Sequence, residues 1–288
     1  MRLSAAFWRD KRVIITGASS GIGHALAEEL SSHAARVGVV ARRENRLREL
    51  ADGITSRGGH AAWAVADVTV RDQVDEAVGT IESALGPCDV LIANAGMYRK
   101  TAGRNFDVRR AELVVSTNLL GAIYAIGAVL PGMVRRNGGR IAAVASVGGM
   151  IGLPGAAAYC ASKQGVVTLL QSLRADLWRT GIRVTAVCPG YIDTPMITDE
   201  ERTTLRGLLS AGEAARRIAW AIERGRAEYW FPRWTALEVR LARLLPPRLA
   251  ARILSRYPEM EETDDVPDDP DPGDSPNVRC PVYLRATE

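Results

Sequence analysis

Short, unbroken apolar runs alternate with longer amphipathic stretches along most of the chain. The runs at 13–15, 37–41, 62–65, 90–93, 141–145 and 184–187 are strand-length and almost free of polar residues, as strands buried on both faces are. The stretches at 22–34, 71–85, 113–136 and 155–179 are helix-length. That alternation predicts an α/β fold, a doubly wound parallel sheet with helices on both faces. Asn137-Gly138-Gly139 offers residues that tolerate left-handed backbone at a helix end. Ser210 with Glu213 has the capping-box pattern, opening a helix to about Glu223, and 228–231 reads as a last strand.

Beyond Pro232 the pattern changes. Trp234, Leu237, Leu241, Leu244 and Leu245 recur at helical spacing with Arg240 and Arg243 off the stripe. After Pro246-Pro247 the idea repeats with Leu249, Ile253 and Leu254 beside Arg248, Arg252 and Arg256. The chain therefore divides into a domain at 1–232, two basic amphipathic helical segments at 233–257 and an acidic, proline-rich segment at 258–288. Low hydrophobicity and a run of acids predict disorder for the last. Packing against the domain is the expectation for the amphipathic pieces. A cover over a pocket, a subunit interface and an anionic membrane surface are the alternatives.

Composition narrows the classes. With 288 residues, 47% of them hydrophobic, the chain can bury one large core plus an appendage. Four scattered cysteines and three histidines form no disulfide framework and no metal-ligand spacing. Arg2, Arg9 and Asp10 interrupt the amino terminus, so a secretion signal is not expected there and a cytoplasmic location is. The formal charge of +4 comes without interleaved aromatics or a nucleic-acid motif, and no nucleic-acid partner is expected. Between Arg140 and Lys163 no side chain is formally charged, yet the glycines and Pro154 break the stretch into a buried strand and a loop.

Two patterns carry chemistry. In Thr16-Gly17-Ala18-Ser19-Ser20-Gly21-Ile22-Gly23 the glycines follow a strand and open a helix. Backbone amides there can approach a diphosphate without Cβ obstruction, at the end of the helix that favours its charge. A tight strand-to-helix connection is the plain alternative. Tyr159 and Lys163 stand four apart, on one helical face. A phenol titrates near about 10, and a neighbouring ammonium favours the phenolate, so the pair suits general acid/base work.

The glycine spacing, together with Asn94-Ala95-Gly96, Tyr159-x-x-x-Lys163 and Pro189-Gly190, resembles the short-chain dehydrogenase/reductase family over roughly 10–231. The resemblance implies a Rossmann fold of about seven parallel strands, a nicotinamide cofactor and a homodimer or homotetramer. It implies cofactor contacts for Gly17, Ser19, Ser20, Gly21, Ile22 and Gly23, for Asp67 and Val68 at the adenine, and for Asn94, Ala95 and Gly96. Pro189, Gly190, Ile192 and Thr194 would lie at the nicotinamide. It further implies a catalytic tetrad of Asn118, Ser146, Tyr159 and Lys163, with Asn118 holding a water and Lys163 also binding ribose.

At the end of the second strand Ala41 is followed by Arg42 and Arg43 rather than by an acid. Guanidiniums there suit a ribose 2'-phosphate, which favours NADP(H) over NAD(H). The expected activity is carbonyl–alcohol interconversion on a small molecule, apolar or lipid-like. The rival readings are a non-catalytic nicotinamide-binding regulator and a peripheral membrane protein acting through its last helices.

Overall fold

The computed structural model describes residues 2–205 and 207–256. The acidic, proline-rich segment and Cys280 lie outside the described residues. A single-turn helix α1 (Ala5–Trp8), capped by the Ser4 hydroxyl, leads into β1 (Arg12–Thr16). The strands β2 (Arg36–Ala41), β3 (His60–Val65), β4 (Val90–Ala93), β5 (Gly139–Val144) and β6 (Ile182–Pro189) follow. Two-residue strands β7 (Ile192–Asp193) and β8 (Leu209–Ser210) pair with each other, and β9 (Glu228–Phe231) closes the series. The main sheet is parallel, in the order β3-β2-β1-β4-β5-β6-β9. Its winding reverses between β1 and β4, so a crevice opens at their carboxyl ends.

Helices cover both faces: α2 (Gly21–Ser32), α3 (Glu44–Ser56) and α9 (Ala211–Glu223) on one, α4 (Arg71–Leu85), α6 (Gly121–Arg135) and α7 (Ala157–Asp176) on the other. Adjacent residues of β1 point to opposite sides, Val13 and Ile15 toward Leu26, Leu47 and Ile218, Ile14 toward Val78, Ile126 and Val166. Two cores on one sheet are why the strands read as continuous apolar runs rather than as alternation.

The expected helix at 113–136 begins earlier and is interrupted. Helix α5 (Val108–Val115) passes through a π-helical turn, Ser116–Leu120, into α6. By length and composition this Val108–Arg135 helix could cross a membrane, but Val114, Ala125, Ile126, Val129 and Met133 are buried inside the fold. Asn137, at a positive φ of 47°, stands just past its end. Ser210 caps α9 by accepting from the Glu213 amide, while the Glu213 carboxylate turns to Arg217 instead of closing the box.

The segment after Pro232 forms α10 (Arg233–Ala242) and α11 (Pro247–Leu254). Helix α10 packs against the domain, but not through its bulky stripe. Helix α10 docks through the small residues Ala236 and Val239, with the Arg240 guanidinium 5.0 Å from the centre of the Trp230 ring. Small side chains let the helix lie close to β9, which turns Trp234, Leu237, Leu241 and Leu244 outward.

Glycine 38, in β2, faces α4 so closely that a Cβ would stand 2.3 Å from Cγ2 of the buried Ile81. Gly38→Ala should therefore lower stability by about 1–3 kcal/mol through overpacking. Urea unfolding checks this, and an unchanged midpoint would show that α4 moves aside freely.

Candidate active site

The carboxyl ends of β1 and β4 meet in a tight clasp. The Thr16 hydroxyl accepts from the amides of Asn94 and Ala95, and the Asn94 side chain donates to the carbonyls of Thr16 and Gly17. A Cβ on Gly17 would sit 2.6 Å from the Ala95 Cα, and one on Gly23 would meet the Gly17 carbonyl oxygen. Gly17 and Gly21 also adopt positive φ, 67° and 55°. Glycine is required at 17 on both counts.

This corner has the features of a phosphate cradle. Ser20 heads α2 without capping it, and the first turn of α2 carries no acid. The Ser19 and Ser20 hydroxyls instead accept from Arg43, at 2.9 and 2.7 Å from Nη2. Burial first, then the nearby Arg46 and Arg42, lowers the Arg43 pKa; the clustered guanidiniums at the head of α2 would favour an anion by charge and helix dipole. Arg42 is exposed at the neighbouring position. Ile22 is half-buried at the start of α2.

Asp67 does not cap α4, whose N-cap is Val70. Its carboxylate accepts from the amide and hydroxyl of Thr69, while its own amide donates to Gln73. Val68 packs on Gly121, where a Cβ would be 2.9 Å from Cγ2. Pro189 and Gly190 tie neighbouring segments, the Pro189 carbonyl accepting from Val147 and the Gly190 amide donating to Phe231. Ile192 is buried in β7. The Thr194 hydroxyl donates to the Ile192 carbonyl, and its methyl lies over Gly21. Arg202, on α8 (Asp199–Thr204), then braces this loop through Asp193, Asp199 and the Thr194 carbonyl.

The four candidate catalytic residues come from three segments, the π-helical turn, the exit of β5 and α7, which carries both Tyr159 and Lys163. Asn118, 1% exposed in the π-helical turn, exchanges hydrogen bonds with the Met97 backbone and donates to Ser162, which donates to the Tyr159 carbonyl. Its amide thus clamps the exit of β4 to α7. A Cβ on Gly96 would meet Lys163 Nζ at 2.9 Å and Asn118 Oδ1 at 3.2 Å, so both converge on that glycine. Ser146, just past β5, accepts from the Gly148 amide, and its hydroxyl lies near enough to the Tyr159 phenol to favour the phenolate in part. Cys160 sits beside them as a packing residue, its thiol raised by burial and bonded to the loop at Gly148 and Leu153.

The expected depression of the phenol pKa is corrected. Tyr159 is pushed up to about 12 because burial disfavours its anion, and the nearby Ser146 hydroxyl offsets this only in part. Lys163 Nζ donates to the Val144 carbonyl and lies 5.8 Å from the centre of the phenol ring. Burial brings its own pKa down to about 8. The phenol is consequently held as a proton donor. Thr16 stands in the glycine motif with no role of its own, and Tyr98 and Ser162 carry no sequence signal, because their partners Asn94, Gly155 and Asn118 are remote along the chain.

Comparison with known proteins adds an independent line. The family model for short chain dehydrogenases matches residues 11–204. An oxidoreductase of Myxococcus xanthus is 35% identical over 236 residues, which cover 82% of this chain and 93% of that one. A mutant actinorhodin polyketide ketoreductase solved with NADPH superposes with a TM-score of 0.73 at 33% identity, over 78% of this chain and 97% of its own. A short chain dehydrogenase/reductase from Burkholderia phymatum solved with NAD shares the fold at a TM-score of 0.76 and 24% identity, covering 88% and 98%.

The Lys163 shift has a measurable sign. Between about 8 and the ordinary 10.5 the unfolded chain holds this proton and the fold does not, so stability rises with pH across that window and the cost of burial is complete below it. Lys163→Met removes the titration. Its stability relative to the parent, measured by urea unfolding, should decline steadily from pH 8 to 10, and a constant difference would refute the assignment.

Proposed function

The chain belongs to the short-chain dehydrogenase/reductase family and is a nicotinamide-dependent oxidoreductase, and from that premise we propose that it interconverts a ketone or aldehyde and its alcohol, with NADP(H) preferred and Tyr159 as the proton donor and acceptor. The observation that carries the reading is the buried Tyr159, with the Ser146 hydroxyl beside its phenol, on one face of α7 with the buried Lys163. A phenol held protonated can give its proton to a carbonyl oxygen, and the Ser146 hydroxyl can hold that oxygen in place. In the reverse direction the same phenol oxygen recovers the proton from the alcohol. A bound nicotinamide supplies or accepts the hydride.

Lys163 serves the site by position. Its ammonium, anchored to Val144, faces Gly96, where it can hold a ribose hydroxyl and draw on the phenol electrostatically once a ligand rearranges the charges. Asn118 fixes the distance between β4 and α7 through Met97 and Ser162. Arg43, with Ser19, supplies the anion site for a ribose 2'-phosphate. The apolar cluster of Met97, Tyr98, Val114, Ala156 and Tyr159, with the Tyr98 ring edge-on to Tyr159 at 5.8 Å, favours an apolar substrate. The likeness to a polyketide ketoreductase agrees with carbonyl reduction. On family grounds we place the protein in the cytoplasm as a homodimer or homotetramer.

Tyr159→Phe should lower kcat by about 1,000-fold or more while the Kd for NADPH stays within a factor of about three, since only the transferable proton is removed. Retention of a tenth of parental turnover would refute the role. Arg43→Ala should raise the NADPH KM by about 10- to 100-fold and leave the NADH KM nearly unchanged. Higher parental kcat/KM with NADH than with NADPH would overturn the cofactor preference.

A further inference from the structure

The last two helices present an apolar surface outward and surround it with positive charge. Trp234, Leu237, Leu241 and Leu244 follow one stripe along and just beyond α10, with Trp234 76% and Leu244 81% exposed. Leu249 and Ile253, one turn apart, add an exposed apolar pair on α11, a helix with no buried residue. Arg233, Arg243, Arg248, Arg252 and Arg256 are exposed as well. Residues 233–256 contain six arginines and one acid, Glu238.

We propose that this surface docks on an anionic lipid bilayer, the two helices lying in the interface with the stripe among the acyl chains and the guanidiniums among the headgroups. Helix α10 already spends its other side on the domain, through Ala236, Val239 and Arg240, so the stripe is not a core face awaiting closure. A second copy of the chain would set arginine rows against one another. The chain's own acidic segment has nine acids from Glu259 to Asp274 that would answer the charge, but within that acidic stretch only Met260 and Val266 are apolar, and Val278, Val282, Tyr283 and Leu284 follow beyond it. A bilayer of anionic lipid answers both.

The surface also sits at the edge of the sheet that carries the site. Pro232, at the head of α10, packs on Gly190, where a Cβ would meet its Cδ at 3.0 Å. Docking would therefore hold the carboxyl end of the sheet near the membrane. The inference rests on exposure and charge and stands apart from the redox reading.

Vesicle flotation of the full chain tests it. The protein should float with vesicles of phosphatidylglycerol and phosphatidylcholine, stay behind with phosphatidylcholine alone, and release as salt rises. Trp234→Ser/Leu237→Ser/Leu241→Ser should lower partitioning by at least about 100-fold, and Arg243→Gln and Arg252→Gln by about 5-fold each. Turnover without vesicles should be unchanged in all three variants. Failure of the full chain to float, or equal flotation of the triple-serine variant, would overturn the proposal. Flotation only of a chain ending at residue 256 would assign the patch to the acidic segment. Loss of self-association in the triple-serine variant, without flotation of the parent, would assign it to a second copy; either result refutes bilayer docking of the full chain.

Discussion

The close approach of β1 and β4 at their carboxyl ends is the constraint on which the rest of the site depends. Thr16 and Asn94 bind each other's backbone across 78 residues of sequence, and Gly17 and Gly23 leave room for no side chain between them. Because the sheet order reverses at this point, the crossover helices diverge to opposite faces and leave a crevice there. The glycine turn then delivers α2 on one side of the crevice, with Arg43 over Ser19 and Ser20. On the other side Gly96 brings the chain past Asn118 and Lys163. One clasp thus sets the separation between the candidate phosphate cradle and the candidate proton donor.

Around that clasp the fold buries polar groups but satisfies them in a connected way. Asn118, Ser162, the Met97 backbone and the Tyr159 carbonyl form one network, and the π-helical turn that carries Asn118 is the backbone irregularity that aims it. Lys163 is 4% exposed and Tyr159 8%, and for both the loss of water outweighs the nearby charges. Each therefore leans toward its neutral form, the lysine downward and the tyrosine upward. A pair read as ammonium beside phenolate becomes a weakened cation beside a firmly protonated phenol.

The carboxyl-terminal helices illustrate the same priority of context over pattern. Their periodicity places large apolar side chains on one stripe, the ordinary signature of a core-facing helix. Yet contact with the domain is made by Ala236 and Val239, because only small side chains permit a helix to approach Trp230 and β9 closely. An amphipathic pattern identifies a face that water disfavours. It does not identify what covers that face.

The sequence by itself determined what depends on near neighbours. The strand runs, the glycine turn, the helix ends at Asn137 and Ser210, and the common helical face of Tyr159 and Lys163 all follow from sterics and periodicity over a few residues. Their ordered combination was enough to point to the family and its seven-stranded sheet. The tertiary structure alone decided what depends on remote partners: that Arg43, exposed like Arg42, bonds the serines of the glycine turn, that Lys163 is anchored to Val144, that Asn118 ties Met97 to Ser162, and which side of α10 faces out. Hydrogen-bond choice and desolvation are set by whatever packs against a group from elsewhere in the chain, and spacing along the sequence carries no record of that.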